Sequence, residues 1–216
     1  MAHKHPQAAN LPSAFALFKP SYEAIMVNIW TFLALLLLPI AGFVVSGAFG
    51  NRGGTDTNTV ALLAGLVGGI AGLLVAPAIP FLQLKSVRGQ EVTIGEALRG
   101  GRKYFWRFYG LSILTTLLVI GGFILLIVPG FFMIKRYLLA PFYLYDRKLT
   151  VREAMRQSQA DSKPFANALW GVVGVSVLIG LLGVIPLLAV ATAILQVVYY
   201  CAPAVRYEQI KKASKN

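Results

Sequence analysis

The sequence predicts an all-α integral membrane protein, a six-span helical bundle assembled from tandem helix-hairpin repeats with cytoplasmic interfacial helices. Three observations carry this. Of 216 residues, 57% are hydrophobic and only 13% are charged, about half the charged share of a soluble globular chain. Several long stretches hold no charged residue at all. One segment also recurs 57 residues further on, with a helix-start signature in both copies.

The charge-free stretches set the number of spans, because a helix crossing about 30 Å of hydrocarbon needs roughly 20 apolar residues. They are Ala24 to Asn51 (28 residues), Thr57 to Leu84 (28), Phe108 to Ile134 (27) and Pro164 to Val205 (42). The last is long enough for two crossings, with Pro186 near its middle. After Ile134 only Lys135 and Arg136 intervene before nine uncharged residues, Tyr137 to Tyr145. Phe108 to Tyr145 therefore reads as two helices broken at Val128, Pro129 and Gly130. Six spans result, and a re-entrant hairpin in place of the third and fourth would leave the same charge pattern.

Four segments follow. Residues 1–22 form a cytoplasmic N-terminal segment with room for an interfacial helix. Residues 23–91 hold the first hairpin, spans 1 and 2. Residues 92–148 hold an interfacial helix with spans 3 and 4, and residues 149–216 hold another with spans 5 and 6 and a basic tail. The apolar stretch after Ala24 is too long for a cleaved signal peptide, so a retained signal anchor is expected.

The net charge of +12 is compatible with nucleic acid, anionic lipid or membrane topology, and position along the chain decides between them. With both termini cytoplasmic, 17 of the 20 Lys and Arg fall on the inner side and Arg52 alone on the outer side. Lys135 and Arg136 lie within a span. That is the positive-inside pattern, so the expected partners are membrane lipids, anionic ones above all, with helix faces open to a membrane protein partner. No nucleic acid is expected.

The repeat aligns Thr93 with Thr150, Glu96 with Glu153, Ala97 with Ala154, Arg99 with Arg156, Phe108 with Phe165 and Pro129 with Pro186. Past the proline the offset grows to 62, and Ala140-Pro141 with Tyr145 and Asp146 falls on Ala202-Pro203 with Tyr207 and Glu208. Phe18, Pro39 and Ala76-Pro77 outline a weaker first copy without the capping signature. Thr93 with Glu96 and Thr150 with Glu153 are capping boxes, which satisfy free N–H groups at a helix start and place negative charge at the positive end of the dipole. Beyond Thr93, Ile94, Ala97, Leu98, Gly101 and Phe105 recur at helical spacing with Arg99, Arg102 and Lys103 opposite. This is the pattern of a helix lying in the headgroup layer. Arg99, Arg102, Lys103, Arg107, Arg152 and Arg156 are its expected lipid contacts. Plain polar loops are the competing reading.

The stretch LLIVPGFFMIKRYLLAPFYLYDRKLTVREAMRQSQA, from Leu125 to Ala160, resembles the membrane domain attached to some bacterial glycerophosphoryl diester phosphodiesterases and its stand-alone relatives of uncharacterised function. The resemblance rests on Pro129-Gly130, the basic pair before Ala140-Pro141, and Glu153-Ala154 followed by Ser158, and is best from about residue 90 to 210. It implies a multi-helix domain of a prokaryotic plasma membrane. The phosphodiesterase chemistry of such proteins resides in a separate metal-binding barrel for which this chain has no counterpart, so no catalysis is carried over.

Lys135 and Arg136 stand out because a charge within a span costs about 2.5 kcal/mol or more unless it is paired or reaches water. Counted from Gly130 they lie about 8 to 9 Å along a helix. Two readings stand: an anion or lipid-phosphate site between helices, and snorkelling to the outer leaflet. Ala64, Gly65, Gly68, Gly69 and Gly72 suit close helix packing, as do Gly171, Gly174, Gly180 and Gly183. Tyr104, Trp106, Tyr109, Tyr143, Tyr145 and Tyr207 read as an interfacial aromatic belt. Asn28 and Gln196 read as hydrogen-bonded packing groups within spans. Cys201 reads as apolar filling, with palmitoylation as the other reading, and His3 and His5 as a chance pair at a terminus. No cofactor, metal or catalytic residue is expected. Transport of a small anionic solute or lipid by Lys135 and Arg136 is the alternative to a non-enzymatic, lipid- and partner-binding role.

Overall fold

In hydrocarbon a chain must satisfy its backbone N–H and C=O groups internally, so apolar runs become helices. The computed structural model describes residues 11–50, 55–125 and 127–214. His3, Lys4, His5, Arg52 and Lys215, with the readings placed on them, lie outside these. Among the described residues there are twelve α-helices, two short 3-10 turns and no strand. The helices are α1 (Phe18–Val27), α2 (Ile29–Gly50), α3 (Thr55–Val75), α4 (Ala78–Val87), α5 (Ile94–Lys103) and α6 (Phe105–Leu125), then α7 (Ile127–Tyr137), α8 (Ala140–Asp146), α9 (Val151–Ser162), α10 (Ala166–Leu182), α11 (Ala189–Val198) and α12 (Ala202–Ala213).

Among the described residues, three helical stretches are long and apolar enough to cross a membrane: Ile29–Ala48, Phe105–Leu125 and Ala189–Ala213. Five result if two bent pairs each count as one span, α3 with α4 at 49° and α9 with α10 at 104°. The segment read as a fourth span is broken into two short helices, eleven residues in α7 and seven in α8, and a crossing there would need both. Eleven residues rise only about 16 Å.

The chain pairs α2 with α3, α6 with α7, and α10 with α11 as three hairpins, while α1, α4, α5, α8, α9 and α12 pack on one another at a single end. That end carries most of the charged side chains and is called the basic end below. The core sits there: Leu139, Ala140, Leu144, Ala154, Ala204, Tyr207 and Ile210 are fully buried. The hairpins show the reverse, with Leu66, Leu73, Leu117, Ile124, Leu181, Leu187 and Ile194 exposed. Large apolar side chains turned outward along whole helices suit a hydrocarbon solvent.

Local sequence explains the breaks. Thr93 and Thr150 each accept a hydrogen bond from the backbone N–H three residues on while Glu96 and Glu153 accept from the cap N–H, so both capping boxes are made. Ala-Pro dipeptides open α8 and α12, and Pro77 caps α4. Pro is tolerated at these positions because its missing N–H would be unpaired anyway. Gly89, at φ +69°, turns the chain after α4, a conformation that glycine adopts without a Cβ clash.

Pro39, read as the outer end of a first repeat, lies inside α2. The correction has a steric basis: α3 presents Gly68 and Gly72 to it, and a Cβ on Gly68 would stand 3.0 Å from the Pro39 carbonyl oxygen. Gly42 and Gly68 touch backbone to backbone, as a Cβ on Gly42 would fall 2.4 Å from the Gly68 Cα. The packing reading therefore holds for Gly65, Gly68 and Gly72, whereas a Cβ on Gly69 would meet nothing within 4 Å. Gly171 packs on Ala14 and Gly183 on Thr192, while Gly174 and Gly180 face open space.

Candidate functional site

Two capped helices present basic residues at one end of the molecule. On α5, Ala97 and Gly101 are buried, and a Cβ on Gly101 would lie 2.7 Å from the Ala78 nitrogen, so α5 packs tightly on α4 along this line. Ile94 and Leu98 remain exposed, beside exposed Arg99, Arg102 and Lys103, with Arg107 exposed on the first turn of α6. On α9, Ala154 and Ser158 are buried and Arg152 and Arg156 exposed. Among the described residues none of these six cations forms an ion pair. Arg99 Nε donates only to the Gly95 carbonyl of its own helix, at 3.2 Å.

Lys135 and Arg136 occupy the last turn of α7. They lie at the end of α7 that meets the α9–α10 corner, away from Gly130, which packs on Phe123 at the opposite end. The Lys135 Nζ stands 4.9 Å from the Phe132 ring centre and 5.4 Å from that of Trp170 in α10. Those two rings meet edge to face at 5.4 Å. Such a cation–π pair holds the ammonium without neutralising it. The Ser158 hydroxyl of α9 donates to the Arg136 carbonyl at 2.8 Å. Lys135, Arg136 and Lys163 together line a cavity of about 320 Å³.

A second charged cluster was missed in sequence. Arg88, just past α4, binds Asp146 at the end of α8 and Glu208 in α12, both at 2.5 Å. Lys211 adds a 2.6 Å bond to Asp146, and the Tyr207 hydroxyl donates to the same carboxylate at 2.7 Å. Asp146 and Glu208 are the acids that the repeat alignment paired, and they converge on one guanidinium. Burial pushes the Asp146 carboxyl up, but the bonds from Lys211, Tyr207 and Arg88 outweigh this and hold it down at about 2, because each favours the charged form. The cluster ties α4, α8 and α12 together.

The aromatic-belt reading is corrected for four residues. Tyr104, Tyr143, Tyr145 and Tyr207 are buried in the core, while Trp106 is 84% exposed and Tyr109 partly buried. The buried rings meet edge to face, Tyr104 with Tyr145 at 5.1 Å and Tyr143 with Tyr207 at 4.9 Å. Three of the hydroxyls find acceptors, Tyr145 in the Pro77 carbonyl, Tyr143 in Asp161 and Tyr207 in Asp146, which makes burial of a phenol tolerable.

Asn28 is a packing group as read. Its amide nitrogen donates to Ser86 Oγ and the Gln90 carbonyl, both at 2.9 Å, and its oxygen accepts from the Val92 N–H at 2.7 Å. Gln196 is exposed, and among the described residues its side chain makes no hydrogen bond. Cys201 is fully buried and leaves no room for an acyl chain. Arg206 is fully buried as well; it donates to the Pro12 carbonyl and to Gln209, both at 3.0 Å, and its Nε has no partner among the described residues. With the Tyr199 hydroxyl on the Ala14 carbonyl at 3.1 Å, it clamps the N-terminal segment to the bundle. Among the described residues no three His, Cys, Asp or Glu side chains gather in one place. No family model, curated protein or solved structure matches the chain.

Proposed function

We propose that this chain is a non-enzymatic, multi-pass protein of a prokaryotic plasma membrane that binds anionic lipid headgroups, and membrane partners beside them, through its basic end. On this reading both termini are cytoplasmic, α5 and α9 lie in the cytoplasmic headgroup layer, and the three hairpins are tandem repeats giving six passes. The proposal carries forward the resemblance to the membrane domain of bacterial glycerophosphoryl diester phosphodiesterases and its stand-alone relatives.

The observation that carries the reading is the division of α5: Ala97 and Gly101 buried, Ile94 and Leu98 exposed and apolar, and Arg99, Arg102 and Lys103 exposed and, among the described residues, in no ion pair. Near an anionic surface each such cation is worth about 1 kcal/mol. The test is the lipid annulus of the reconstituted protein, read with spin-labelled lipids. Phosphatidylglycerol should be enriched over phosphatidylcholine, and the enrichment should vanish when Arg99, Arg102, Lys103, Arg107, Arg152 and Arg156 are all changed to Gln. Equal enrichment in both proteins refutes the reading.

A second reading is favoured by one observation, the cavity lined by Lys135 and Arg136 with no carboxylate among the described residues of its wall. It makes the chain a carrier of a small anionic solute or lipid. Anion flux in proteoliposomes should then disappear in the Lys135→Leu, Arg136→Leu double variant, and unchanged flux excludes it.

A further inference from the structure

We infer that the junction of α7, α9 and α10 is a receptor for a phosphate monoester, gripped by Lys135, Arg136 and Lys163. The inference rests on the second reading above, that an anion binds at Lys135 and Arg136, and does not depend on lipid contacts of α5 and α9.

The three cations come from two separated parts of the chain and line one cavity of about 320 Å³. A larger cavity of about 490 Å³ shares Lys163 and Ala166 with it and is closed on another side by residues 11–14. Among the described residues neither cavity has a carboxylate in its wall. The acid closest in sequence, Asp161, is engaged elsewhere, accepting from the Tyr143 hydroxyl and from Gln157 Nε2. Among the described residues Lys135, Arg136 and Lys163 form no ion pair. Arg88, by contrast, has two acids and Lys211 one, while Lys85 and Arg206 are bound by neutral groups. Lys135 and Arg136 sit in the last turn of α7 where it meets α9, and the cavity they line with Lys163 is complementary to an anion that the described residues do not supply.

The number of cations selects the class of anion. One cation satisfies a carboxylate monoanion. A phosphate monoester carries close to two negative charges near neutral pH and three terminal oxygens, which suits a guanidinium fork with two ammonium groups. The first N–H groups of α10 have no side-chain cap and border the same space at Ala166; they add to the three cations, which carry the site. On the other side the wall is Phe132 and Met133. That apolar floor fits a lipid chain attached to the phosphate, although a soluble phosphate monoester presents the same headgroup chemistry.

The test titrates the full chain, held in an uncharged maltoside micelle, with dihexanoyl phosphatidic acid, glycerol 3-phosphate and dihexanoyl phosphatidylcholine by calorimetry. At least one phosphate monoester should bind saturably at one per chain, and phosphatidylcholine should not. Lys163→Gln, an exposed position at the end of α9 whose change leaves the helical spectrum intact, should weaken binding about tenfold. Lys135→Gln with Arg136→Gln should weaken it further. Binding of phosphatidic acid alone assigns a lipid headgroup, and equal binding of glycerol 3-phosphate assigns a soluble monoester. Absence of saturable monoester binding, or binding that Lys163→Gln leaves unchanged, overturns the inference. The uncharged micelle offers no anionic surface, so failure here leaves the α5 and α9 reading standing. The Gln variants of α5 and α9 should bind the monoester as the native chain does.

Discussion

Replacing Arg88 by Met takes away a guanidinium that Asp146 and Glu208 share. The side chains are 31% exposed for Arg88, 7% for Asp146 and 16% for Glu208, so the pair lies between the exposed and buried limits. Exposed ion pairs contribute about 0.2–1 kcal/mol, and removing one partner of a fully buried pair costs about 3–5 kcal/mol. Asp146 keeps Lys211 and Tyr207 in the variant, whereas Glu208 loses the one ion-pair partner it has among the described residues. The expected loss is therefore about 2 kcal/mol, between those limits. Arg88→Lys keeps the charge but not the two-nitrogen grip on Glu208 and should recover about half of it. Steric trapping in bicelles reads these free energies directly.

The same cluster predicts the acid limb of stability. Asp146 is held down from the usual 3.8 to about 2 in the fold. Its contribution is therefore full above about pH 4 and is lost as the pH falls toward 2. Arg88→Met should raise the Asp146 value and flatten this limb. A loss below about 0.5 kcal/mol for Arg88→Met, within the range of an unremarkable surface change, with an acid limb like that of the native chain, would refute the reasoning.

Three further outcomes are expected. Gly42→Ala, with a Cβ 2.4 Å from the Gly68 Cα, should destabilise the α2–α3 hairpin by about 1–3 kcal/mol. Gly69→Ala, facing open space, should not, and equal effects in the trapping assay would contradict the backbone contact. Thr93→Ala should cost about 1 kcal/mol through the lost cap, seen as faster hydrogen exchange at residues 94–97; unchanged exchange would show that the capping box contributes nothing. Arg206→Met should leave global stability within about 1 kcal/mol of native, because removing the desolvation cost of a buried charge offsets the lost bonds to Pro12 and Gln209. Exchange at residues 13–17 should meanwhile rise as the Pro12 bond is lost, and a loss above 3 kcal/mol would mean that the Arg206 charge is neutralised in the fold.

What the sequence determined by itself was local. The charge-free runs and the capping boxes at Thr93 and Thr150 depend on neighbours within a turn or two, and these are legible because backbone hydrogen bonding and solvent transfer act over that range; Ala-Pro, read as the end of a return span, instead opens α8 and α12. The basic faces of α5 and α9 were legible for the same reason. The paired acids Asp146 and Glu208 were visible as a repeat, but their meeting on Arg88 was not, since the contacts span 58 and 120 residues. Lys163 gave no sign that it would share a cavity with Lys135 and Arg136. The tyrosines were misread because an amphipathic ring suits both a headgroup layer and a core that supplies an acceptor. Only the convergence of α4, α8 and α12 decided that Tyr143, Tyr145 and Tyr207 belong to the second. Tertiary structure decided every question of which distant groups face one another, because burial and charge pairing depend on where helices meet, which no single helix specifies.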